Sequence, residues 1–224
     1  MAQLDISKLR FVLFDWDNTL AESRSSLVEA VNQVLAEYHL PEWEISKEKR
    51  DHNLSFKDNF PRIFGDKAEE AYAKYREIYR KIVPEKISTF DKVPEVLDFF
   101  KSHRVGIMVM TNKERCLIDY ELPFLFDSGL FKRVVCGHEA PHDKPDGAHA
   151  LYTLKGLIKP EEINPDTVWI IGDSPQDSQT ALAINARPIR INKSIWGDEG
   201  EKSSGIVYFK GFQELLKALR LAKY

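Results

Sequence analysis

Cysteine, methionine and long apolar runs are all scarce in this chain of 224 residues. The only cysteines are Cys116 and Cys136, too widely spaced for a paired metal or redox motif and too few for a disulfide framework. A reduced, cytoplasmic setting is therefore expected. No apolar stretch is long enough to span a bilayer. The start, Met1-Ala2-Gln3-Leu4-Asp5-Ile6-Ser7, lacks the basic-then-apolar order of a secretory leader. An excess of one charge is missing as well. With 32 Lys+Arg against 35 Asp+Glu and a net charge of −3, no field favours nucleic acid or a membrane as partner. Neither repeats nor low-complexity segments occur. What remains is 43% hydrophobic and 30% charged, an ordinary globular composition with room for one sizeable domain or a core plus a modest insertion.

The stretch Phe11-Val12-Leu13-Phe14-Asp15-Trp16-Asp17-Asn18-Thr19-Leu20 organises the rest. Its apolar run suits a strand buried on both faces, and continued extension would point Asp15 and Asp17 to one side. Two such carboxylates repel, which a shared proton or a bound cation relieves. An Asx turn capped by Thr19 accounts for the same letters without chemistry. From residue 21 to 87 the pattern is helical. Leu27, Val31, Val34 and Leu35 share one face, with Ser25 or Ser26 as N-cap and Pro41 beyond the end. A longer helix is expected over 66–82, stopped by Pro84. From Val93 onward helices alternate with strands at 105–110, 133–136, 167–171, 188–191 and 206–209. The expected fold is therefore α/β, a Rossmann-like parallel sheet with helices on both faces. Its core comprises residues 1–20 and 88–224, and residues 21–87 form an inserted helical domain. Ligands of such sheets bind at the carboxyl ends of strands, where Asp15, Asp17, Thr111, Asn112, Asp173 and Ser174 recur.

Together, Asp15-Trp16-Asp17-Asn18-Thr19, Thr111-Asn112, Lys144-Pro145 and Gly172-Asp173-Ser174-Pro175-Gln176-Asp177 resemble the signature of the haloacid dehalogenase superfamily of phosphohydrolases. The four appear in family order, each at its expected place, and the resemblance covers residues 9–192. It implies that the helical insertion is the family's cap, and that the nearest layout is phosphoglycolate phosphatase-like. It further implies that Asp15 attacks phosphorus and forms an aspartyl-phosphate, while Asp17 exchanges protons with the leaving oxygen and the attacking water. Thr111, the Asn112 backbone N–H and Lys144 would hold the phosphoryl oxygens. Mg²⁺, a hard cation suited to oxygen ligands, would sit on the Asp15 carboxylate, the Asp17 backbone carbonyl and Asp173. Asp177 would support it or Lys144 from behind.

Two departures stand out. Asn18 replaces the usual Gly, and Asn tolerates φ > 0; Asp146-Gly147 replaces a second Pro after Lys144. The presence of Asp17 argues against a dehalogenase, whose chemistry needs no leaving-group acid. His138-Glu139-Ala140-Pro141-His142 matches a zinc-protease signature in letters, but Pro141 disfavours the helix that signature requires. Substrate contacts in the cap are expected within 49–57, with His52 and Lys57 as candidates. The expected activity is Mg²⁺-dependent hydrolysis of a small phosphomonoester: phosphoglycolate-like, a sugar phosphate or a nucleotide. A phosphomutase-type transferase and a non-catalytic phosphate-ligand binding protein are the alternatives.

Overall fold

The computed structural model describes residues 4–43, 57–192 and 205–223. Six parallel strands form one sheet in the order β3-β2-β1-β4-β5-β6. They are β1 (Phe11–Phe14), β2 (Gly106–Met110), β3 (Arg133–Val135), β4 (Val168–Gly172), β5 (Arg187–Ile191) and β6 (Val207–Phe209). In β1 every residue is buried, and the two faces alternate. Val12 and Phe14 join Val96, Leu97 and Phe100 of α4 (Val93–Ser102) and Phe212, Leu215 and Leu219 of α8 (Phe212–Arg220). Phe11 and Leu13 join Ala150 and Leu154 of α6 (Gly147–Leu154) and Ala181 of α7 (Pro175–Ala183). That period of two, apolar on both faces, is the pattern of a parallel strand sandwiched between helix layers. The sequence runs outward one way through β2 and β3, then the other way through β4, β5 and β6. The crevice between β1 and β4 is thus a topological switch point, where such sheets bind ligands.

Between β1 and α4 the described residues form no strand, and their α-helices are α1 (Arg24–Glu37), α2 (Phe60–Phe64) and α3 (Ala68–Lys86). They bury a separate cluster in which Leu27, Val31, Val34 and Leu35 meet Phe60, Tyr72, Tyr75 and Tyr79. Edge-to-face and stacked rings, such as Phe60–Tyr72 at 4.9 Å and Phe60–Phe64 at 5.1 Å, fill it. Two expectations fail here. Helix α1 begins at Arg24, so Ser25 and Ser26 lie inside it; Ser23 precedes it, and its hydroxyl goes to Asp17 rather than capping the helix. Nor does Pro84 stop α3, which continues to Lys86. A proline removes the bond to the carbonyl four residues back, here that of Arg80, and the Tyr120 hydroxyl of α5 (Arg115–Leu125) donates to that carbonyl at 2.9 Å. Tertiary contact supplies the missing donor.

Candidate active site

The backbone stops extending at Phe14. Asp15 is held to the sheet by its N–H on the Ile171 carbonyl at 2.9 Å. The Trp16 carbonyl then accepts from Thr19 and Ala21, closing a turn with Asn18 at φ +55°. Asn therefore occupies the left-handed position expected of Gly. The turn also separates the two carboxylates, each of which has its own ammonium partner. Asp15 Oδ1 accepts from Lys144 Nζ at 2.6 Å, and Asp17 Oδ1 accepts from Lys113 Nζ at 2.7 Å.

Lys144 is buried and also donates to Asp177 Oδ1 at 2.7 Å. The other oxygen of Asp177 accepts from the Ser174 backbone N–H at 3.0 Å and hydroxyl at 2.6 Å, a capping box that opens α7. This packing needs Gly172, where a Cβ would overlap the Asp177 carboxylate. Asp173 Oδ2 accepts from the Asn18 amide at 2.7 Å. Oxygens of Asp15, Asp173 and Asp177 lie within 4.8 Å of one another.

Burial raises the pKa of Asp15 to about 7, and Asp177's charge adds to this while Lys144 opposes it. Asp173 is raised well above its ordinary range, first by burial and then by the charges of Asp15 and Asp177. Burial would lower Lys144, but Asp15 and Asp177 outweigh it and raise its pKa, keeping it charged. Three buried carboxylates crowd together beside Lys144, with Arg190 on the Asp173 backbone carbonyl at 2.7 Å, and their mutual repulsion favours protonation or a bound cation. A hard divalent cation on all-oxygen donors would relieve it. Asp15 and Asp173 suit that role, because both oxygens of Asp177 are already bonded.

Beyond β2, Thr111 is buried and its hydroxyl accepts from the Lys113 backbone N–H at 3.2 Å. The Asn112 side chain clamps the Lys144 backbone, donating to its carbonyl at 2.8 Å and accepting from its N–H at 3.0 Å. His149 Nδ1 accepts from the same N–H at 3.3 Å. The residues Asp15, Asp17, Thr111, Asn112, Lys144, Asp173 and Asp177 therefore meet at neighbouring strand ends. Lys57 does not join them: it donates to Glu114 Oε1 at 2.7 Å. His52 lies outside the described residues. The stretch at 138–142 is not helical, and Glu139 there pairs with Arg115.

Sequence reading misses four contributors. Lys113 links Asp17 to Glu121 of α5, and the second oxygen of Glu121 accepts from Trp16 Nε1 at 2.6 Å. Tyr79 of α3 accepts from Lys113 at 2.9 Å. Ser23 donates to Asp17 Oδ1 at 2.6 Å. Lys113 follows Thr111-Asn112 directly, so its place was legible; its burial and the partners brought by α3 and α5 were not.

A family model described as haloacid dehalogenase-like hydrolase matches residues 12–191. The chain is 29% identical to a phosphoglycolate phosphatase of Aquifex aeolicus over 188 residues, covering 79% of this chain and 85% of that one. It is 24% identical to the pyrophosphatase PpaX of Bacillus mycoides over 195 residues, covering 85% and 86%. Its fold resembles that of CbbY from Rhodobacter sphaeroides, solved with xylulose-1,5-bisphosphate, at a TM-score of 0.79 and 18% identity over 94% and 99% of the chains. With a matching model that runs from β1 through β5 and includes every strand-end residue described above, the chain belongs to the haloacid dehalogenase-like hydrolases.

Proposed function

We propose that this chain is a divalent-metal-dependent phosphatase, with Mg²⁺ as the metal, that hydrolyses a small phosphomonoester through an aspartyl-phosphate on Asp15. The observation that carries the reading is the placement of Asp15 on Lys144 at 2.6 Å, with Asp17 held apart on a different lysine. That separation supports a reading in which one carboxylate attacks and the other exchanges the proton. The Asp15 carboxylate oxygen bonds to phosphorus as the bond from phosphorus to the ester oxygen breaks, and Asp17 gives that oxygen its proton. Water then attacks the phosphorus of the aspartyl-phosphate and gives a proton to Asp17. Phosphate leaves and free Asp15 returns. Lys144, the Thr111 hydroxyl and the Asn112 backbone N–H hold the equatorial oxygens throughout.

The metal, when bound on the Asp15 and Asp173 carboxylates and the Asp17 carbonyl, neutralises phosphate charge that would otherwise repel the nucleophile. Asp177 keeps Lys144 in place.

Residues 21–87 act as the cap in this reading and choose the ester. Lys57 would meet a second anionic group of the substrate by exchanging Glu114 for it, and His52 lies on the same stretch. The similarity to a phosphoglycolate phosphatase and to a pyrophosphatase favours compact, multiply charged esters. A panel of phosphoglycolate, sugar phosphates and nucleotides assayed with Mg²⁺ tests the reading. Asp15→Asn should remove turnover without unfolding the chain; retained turnover would exclude Asp15 as nucleophile. Release of inorganic phosphate without a phosphorylated isomer separates hydrolysis from transfer to a sugar hydroxyl. No turnover across the panel would favour a binding protein.

A further inference from the structure

Lys113 is a buried ammonium that the chemistry above does not use. Its side chain is 5% exposed, and that of its partner Glu121 is 0%. Burying such a pair costs several kcal/mol per ion before its attraction is counted, so the arrangement calls for a reason.

The Lys113 Nζ donates to Asp17 Oδ1 at 2.7 Å and to Tyr79 Oη at 2.9 Å, and it forms an ion pair with Glu121 Oε1 at 2.6 Å. Three protein oxygens thus surround this ammonium, and one of them belongs to Asp17. Glu121 in turn takes the Trp16 indole N–H at 2.6 Å. Trp16 is the residue between the two working aspartates. A closed circuit results: Asp17 to Lys113, Lys113 to Glu121, Glu121 to Trp16, and Trp16 back to Asp17 through the chain. Two donors, Lys113 and Ser23, fall on the same oxygen of Asp17, Oδ1. No described residue donates to Oδ2, the oxygen this reading assigns to proton exchange. Tyr79 adds a contact from α3, so the circuit also touches the helical insertion.

We propose that Lys113, braced by Glu121, Trp16 and Tyr79, is a positioning residue that fixes the Asp17 carboxylate for proton delivery to the leaving oxygen. The proposal rests on the phosphatase reading above, with Asp17 as its acid. It predicts a dependence on the leaving group. An alkoxide needs the proton from Asp17, whereas p-nitrophenolate departs without it.

The test compares kcat/KM, which covers the steps through departure of the leaving group, for p-nitrophenyl phosphate and for an alkyl ester. The alkyl ester is 2-phosphoglycolate or, in its place, glycerol phosphate. Lys113→Met alone would strand the Glu121 charge, so the Lys113→Met/Glu121→Gln pair is used, with Tyr79→Phe as a milder variant. Well-positioned acids contribute about a hundredfold or more. The double variant should accordingly lose on the order of a hundredfold on the alkyl ester and under about threefold on the aryl ester. Tyr79→Phe should lose less, in the same pattern. Adding Asp17→Asn to the double variant should cost little more, because both act through one step. Equal losses on the two esters, or losses that multiply with Asp17→Asn, would overturn the proposal. If the double variant does not fold, Tyr79→Phe decides by the same ratio. Turnover that Asp15→Asn removes keeps the phosphatase reading standing when the Lys113 pattern fails. A wild type inactive on both esters sinks the two together.

Discussion

His149 offers a test of the burial that shapes this site. It lies on α6 with no solvent exposure, and its Nδ1 accepts the Lys144 backbone N–H. That bond requires a neutral ring with its hydrogen on Nε2. Nε2 has no well-aligned partner. Burial, and then the Lys144 charge, pushes the His149 pKa down to about 3, with the Val135 backbone opposing only in part. In the unfolded chain the ordinary value of about 6.5 applies. Below pH 6.5 the unfolded state therefore takes up a proton that the folded state refuses, and stability falls as pH falls. The contribution is fully present above pH 6.5 and declines down to about pH 3. At about 1.36 kcal/mol per unit, lowering the pH from 7.5 to 5.0 costs roughly 2 kcal/mol through this one residue.

His149→Asn keeps a short acceptor and removes the titration. Its cavity lowers stability by a roughly constant amount. Urea unfolding of both proteins at a series of pH values should show the wild-type advantage shrinking by about 2 kcal/mol between pH 7.5 and 5.0. Titrations of Asp15 and Asp173 occur in both proteins and cancel in the difference. A gap that does not change with pH would refute the neutral, buried imidazole.

Three further outcomes follow from the geometry. Gly172→Ala should push the Asp177 carboxylate off its seat, free Lys144 and cut kcat at least tenfold, read by steady-state kinetics on any accepted ester. Chelation with EDTA should silence the enzyme and Mg²⁺ restore it. Mg²⁺ should also raise the melting temperature of the wild type by mass action but not that of Asp173→Asn; an equal rise in the variant would exclude Asp173 as a ligand. Tyr120→Phe strands the Arg80 carbonyl freed by Pro84 and should cost about 1 kcal/mol in denaturant unfolding; no change would mean that solvent serves that carbonyl equally well.

The residues themselves determined the sheet and the principal site. Apolar runs such as Phe11–Phe14 and Val168–Gly172, each buried throughout and alternating with helical stretches, fit strands covered on both faces in a layered parallel sheet. A polar residue that ends such a run is carried to the common carboxyl edge of that sheet. Asp15, Thr111 and Asp173 were legible for this reason, and Asn18 because few residues accept φ > 0. Local rules failed where a distant group changed the local balance. Pro84 did not end α3, and the Arg80 carbonyl that it leaves without a helical donor takes one from Tyr120. Lys113 and Glu121 carry no local signal of burial, yet the meeting of α3 and α5 buries them beside Asp17. Asn112 likewise read as a backbone donor, and only the approach of the 144 loop gave its side chain a task. The sequence alone decides which side chains can reach the strand ends. Which of them meet, and with what charge, depends on desolvation and on partners far apart in the chain, and those exist only once the helices have packed.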